Sequence, residues 1–161
     1  MTYVTSEARQ RLLDDLAIAI EELATALAVL GAAYELLDDN SADRLEDELF
    51  RGVQTAFGRA QRTHASFASR YSLPGRTFEQ PNPGLPSQGA RSFLERAGEA
   101  IDEADNALVE LQDSMLPVEV GDRELRTDLA EVVRQDVTIG DGGVVNFRIR
   151  LAISFKYDTG E

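Results

Sequence analysis

The side chains able to do chemistry in this 161-residue sequence are few, and their spacing limits what they can do. There is one histidine, His64, and it falls on a seam of otherwise apolar residues: Phe50, Val53, Phe57, Ala60, Phe67 and Tyr71. An imidazole there is expected at the edge of a core, hydrogen-bonded to a neighbour. One imidazole excludes a multi-histidine metal centre within the chain and leaves no Ser/His/Asp arrangement to single out. The arginines Arg51, Arg59, Arg62, Arg70 and Arg76 lie close together in sequence, and Arg59, Arg62, Arg70 and Arg76 are candidates for binding a small anionic ligand. The ordinary alternative is surface pairing with acidic neighbours, at about 0–1 kcal/mol per contact. Glu99, Asp102 and Glu103 have a helical spacing suited to a hard cation. They face away from their own seam, so a solvated acidic face is expected instead. Gln61 stands three residues before His64, so no Glu-x-x-His occurs, and a ferritin-like di-iron site is not expected. Neither a metal nor a cofactor is expected.

One short motif goes further. Arg59-Ala60-Gln61-Arg62-Thr63-His64 resembles the arginine, four residues, histidine spacing of HEPN-type ribonucleases. The resemblance implies an arginine and a histidine that stabilise a scissile phosphate and assist proton transfer, usually across a dimer of helical bundles. Ala60 stands where that family favours a polar residue. Five residues along a regular helix turn about 500°, leaving the two side chains roughly 140° apart. Convergence therefore requires a kink or a second chain.

Composition narrows the classes. There are no cysteines, which excludes disulfide scaffolds and thiolate metal sites and fits a reducing cytoplasm. The N-terminal residues lack the basic and apolar regions of a signal peptide, and the longest uncharged run, Leu23 to Tyr34, is too short to span a bilayer. A cytoplasmic protein with no membrane partner is expected. The net charge of −13 argues against nucleic acid as a partner. Residues 1–48 and 95–136 each carry a net −9, whereas residues 49–94 carry +5. Gly140, Gly142 and Gly143 lack the lysine and following helix of a phosphate loop, so a hairpin turn is expected there.

The elements that must position these residues are helices. Leu13, Leu16, Ile20, Leu23, Leu27, Leu30, Tyr34 and Leu37 recur at steps of three and four, predicting a long helix from about Glu7 to Asp38 with one buried stripe. Thr2-Tyr3-Val4-Thr5 before it reads as a short strand. Asn40 or Ser41 is placed to cap a second helix, about Ala42 to Ser72. Residues 73–89 hold four of the five prolines, and Leu73, Phe78 and Leu85 are expected to pin this loop to the bundle, across its end or along its side. A third helix, about Gln88 to Met115, repeats the seam as Ala90, Leu94, Ala97, Ile101, Ala104, Leu108, Leu111 and Met115. Pro117 ends it, and Asp122 is a good cap for a short fourth helix, about Arg123 to Gln135.

Beyond that the period changes to two. Val145, Phe147, Ile149, Leu151, Ile153, Phe155 and Tyr157 are all apolar at odd positions, the pattern of a one-sided strand, with Val137-Thr138-Ile139 as its shorter partner. The tail's alternation is similar to the terminal strand of dodecin-type flavin-binding oligomers, without the strand and helix that precede it there.

The fold expected is α+β: an up-down-up antiparallel bundle of three long helices with a short fourth (residues 1–135), followed by a β-hairpin arm (136–161). The leading function class is a non-enzymatic interaction or assembly protein. It would pair through the C-terminal strand and helical surface with a second copy, or with another protein's strand. The helical ribonuclease at Arg59 and His64 and the anion binder are the alternatives.

Overall fold

The computed structural model describes residues 2–137. Helix α1 (Thr2–Leu36) dominates it. The chain supplies α1 with more than a stripe: Leu23, Ala24, Ala26, Leu27, Ala28, Val29 and Leu30 are all buried, so the middle of the helix is covered on nearly every side. A helix apolar all round belongs inside a protein or in a bilayer. By length and composition α1 could cross a membrane, but 67% of its apolar window is buried inside the bundle, where it serves as the core helix.

The second helical rod starts earlier than expected and is not uniform. Asp38, rather than Asn40 or Ser41, caps α2 (Asp39–Leu45), its carboxylate accepting the Ser41 N–H at 2.7 Å. A π-helical turn at Glu46–Phe50 then leads into α3 (Arg51–Arg70). Leu45, Leu49 and Val53 are buried at successive steps of four, a spacing served by the wider i→i+5 turn. Of the expected seam, Val53, Ala60, His64 and Phe67 are buried, and Phe50, Phe57 and Tyr71 are partly buried against the core.

Residues 73–85 form an extended strap, followed by a 3₁₀ turn at Pro86–Gln88 and then α4 (Ala90–Asp113). Pro117 does not merely end α4; it sits in the first turn of a short helix, α5 (Leu116–Val120), where its missing N–H has no partner to lose. Gly121, left-handed at φ 66°, closes α5, and Asp122 caps α6 (Arg123–Val137) by accepting the Leu125 N–H at 2.8 Å.

The contacts fix the order of the helices. Arg9 of α1 lies over the Tyr71 ring at the end of α3, 3.9 Å from its centroid. At the other end Gly31 and Tyr34 share a recess with Glu46 and Phe50, so α1 and α3 are antiparallel. The strap climbs back beside α1. Arg76 pairs with Glu21, Phe78 and Pro81 lie by Ala24 and Thr25, and the Pro83 carbonyl accepts from Arg96 Nη1 at 2.6 Å. Helix α4 therefore starts at the end where the second rod started, descends parallel to α3, and returns through α5 to Asp122 beside Tyr71. Helix α6 rises from there against α3 and α4. The bundle is up-down-down-up with one long crossover, a recognised four-helix topology, rather than the expected up-down-up. Phe67, Phe93, Ile101, Leu125 and Leu129 complete the core between the helices.

The expected α+β class is overturned over the described residues, which contain no strand. Thr2–Thr5, read as a strand, is the first turn of α1, because the helix simply extends to it. Val137, read as the start of the shorter hairpin strand, is the last residue of α6. The rest of that reading, residues 138–161 with Val145, Phe147, Ile149, Leu151, Ile153, Phe155 and Tyr157, lies outside the described residues.

Candidate functional site

His64 sits on the face of α3 that meets α1 and the strap, with 2% of its surface exposed. Phe78 of the strap packs on it nearly perpendicular, the ring centroids 5.2 Å apart. Its Nδ1 is buried and makes no hydrogen bond. Burial pushes the imidazole below its ordinary pKa, the nearby Arg76 cation pushes the same way, and Asp14 opposes them. Arg59 belongs to the same uninterrupted helix, and its carbonyl accepts the Thr63 hydroxyl at 2.9 Å. With no kink between them, the roughly 140° divergence of Arg59 and His64 persists, and one chain does not bring the pair together.

The other candidate arginines are dispersed. Arg70 donates Nε and Nη2 to the two oxygens of Asp122, at 3.1 and 3.0 Å, and reaches Glu124 at 3.2 Å. Tyr71 adds its hydroxyl to Asp122 at 2.7 Å. Asp122 is only 7% exposed, and these donors hold its carboxyl below the usual range despite the opposing effect of burial. Arg76 pairs with Glu21 and stacks over Phe78 at 5.0 Å. Arg51 pairs with Asp47 at 3.5 Å along its own rod, and Arg62 is exposed. Of the apolar strap residues, Leu73 and Phe78 pack on the core. Leu85 corrects the expectation for the loop: it is 69% exposed, because the 3₁₀ turn and the Arg96 anchor at Pro83 hold the backbone while its side chain points out. Glu99 and Glu103 are exposed, and no group of acidic residues and histidine suited to a metal ion occurs among the described residues.

A different constellation emerges where α1 and α4 run side by side. Asp15, Ile18 and Glu22 of α1 and Glu103, Asn106, Ala107 and Glu110 of α4 line a groove of about 350 Å³. Carboxylates seven residues apart on each helix, Asp15 with Glu22 and Glu103 with Glu110, converge on it. Among the described residues no cation pairs with any of the four. Burial raises the Glu22 carboxyl above its ordinary pKa, and Glu103 and Glu21 add to the effect by repulsion. Between the carboxylates lies Ile18, 54% exposed, an apolar side chain at the centre of an anionic surface. Sequence reasoning missed this groove, although Ile18 interrupting a polar face and the paired seven-residue spacings were visible signals. No protein-family model matches the chain, and no curated protein or solved structure matches it.

Proposed function

We propose that this protein is a non-enzymatic interaction module whose α1/α4 groove receives a basic segment of a partner protein, in the cytoplasm. The observation that carries the reading is Ile18, left half exposed between four convergent carboxylates that have no cation of their own among the described residues. A partner helix with an apolar anchor over Ile18 and Ala107, and lysine or arginine on either side, would relieve the repulsion and cover the anchor at once. Charge of this kind speeds association and selects partners more than it adds affinity, so Ile18 should supply the anchoring contact.

Fluorescence anisotropy with a labelled amphipathic peptide of leucine and lysine tests this. Binding should weaken with salt, weaken about tenfold on Ile18→Asn, and weaken again when Glu22, Glu103 and Glu110 are changed to Gln. Neutralising Asp39, Asp43 and Glu48 on the second rod should leave it nearly unchanged. Equal loss from the two sets would mean that the protein merely attracts cations through its net charge.

A further inference from the structure

We propose that His64 is the proton-sensitive latch that holds residues 73–81 against α1 and α3. The latch has two parts. Phe78 packs on an imidazole that is almost wholly buried and whose Nδ1 has no partner. Two residues away, Arg76 ties the same segment to Glu21 of α1 and stacks on the Phe78 ring. The charged groups facing His64 are Arg76 from the strap and Asp14 from α1, while Glu21 is already engaged by Arg76. A neutral imidazole fits this apolar seat. An imidazolium would be a second cation beside Arg76 and the ring it covers, with Asp14 alone among the described residues to offset it. Nothing in the strap's own backbone holds residues 74–81 in a helix or sheet, so lifting it requires breaking few hydrogen bonds. A proton taken up on opening is thus linked to opening.

The direction follows from linkage. The closed state binds the proton less well than the open one, so closure is stable above the ordinary imidazole value and is lost as pH falls through it.

His64 is the one histidine, so its imidazole NMR signals need no assignment. Its titration and the protection of residues 73–81 from proteolytic cleavage, measured at each pH against a free peptide of the same sequence, are followed on the full chain. Protection should drop by up to about tenfold per pH unit below about 6.5. His64→Leu, or His64→Gln if the leucine variant does not fold, should remove that dependence while circular dichroism shows an intact bundle. Strap protection independent of pH in the wild type would overturn the proposal. So would the same slope in the variant, or an imidazole that titrates at or above its ordinary value.

Discussion

Asp122 joins three helices, and replacing it should be among the most damaging single changes outside the apolar core. Its carboxylate accepts four hydrogen bonds: two from Arg70, one from Tyr71 and one from the Leu125 N–H that starts α6. Asp122→Ala removes a helix cap, at about 1 kcal/mol. It also removes charge-assisted bonds of about 1.5–3 kcal/mol and leaves the Tyr71 phenol without its acceptor, while Arg70 keeps Glu124 and Ser66. The Arg70 side chain is 26% exposed, so water partly replaces the lost partner and the low end applies. The expected total is about 3 kcal/mol. Asp122→Asn keeps an oxygen for the Leu125 N–H and loses the charge, so about 1–1.5 kcal/mol is expected. Urea unfolding followed by far-UV circular dichroism measures both. Stability should also fall in acid for the wild type. The native carboxyl lies below its ordinary value, so the ionised form's contribution is present above about 3.9 and is lost as pH falls through that value toward the lowered one. Asp122→Asn should lack that component. A loss under about 1 kcal/mol for Asp122→Ala, or equal losses for the two variants, would refute the view that this carboxylate organises the junction.

Leu85→Ser should change stability by no more than about 0.5 kcal/mol, whereas Phe78→Ala should expose the strap to rapid proteolysis; the same urea titration and a limited digest separate the two. His64→Ala should lower stability by about 1–3 kcal/mol through lost packing, and the wild type should cleave none of a varied set of RNAs; cleavage abolished by His64→Ala in a folded protein would restore the ribonuclease reading. Gly84→Ala should destabilise the strap by about 1 kcal/mol or more, because φ is +108° there and a Cβ would meet the Gln88 side chain at 2.9 Å.

The helices were legible because their seams are long and regular, and Asp122 was legible as a cap because aspartate before an apolar run has a mechanism. The up-down-down-up order was not, because a seventeen-residue proline-rich loop can close one end or run the length of the bundle, and only contacts such as Arg76 with Glu21 decide. The seam on α1 predicts one buried stripe, whereas the middle of the helix is covered on nearly every side. Ala19, Ala26, Val29 and Ala33, off the seam, carried that signal, but alanine suits an exposed helix face as well as a buried one. The π-helical turn at Glu46–Phe50 was not legible either, because a heptad count assumes that no such turn exists. The groove escaped because its carboxylates come from helices some ninety residues apart, and their meeting depends on the chain order that the sequence left open.

Whether a basic partner docks in this groove is read from backbone amide shift mapping with the leucine and lysine peptide. Docking there should concentrate the perturbations on residues 15–22 of α1 and 103–110 of α4, greatest around Ile18 and reduced in Ile18→Asn. Perturbations spread evenly over all the acidic faces, or gathered on α2 and the π-helical turn with the groove unchanged, would contradict it.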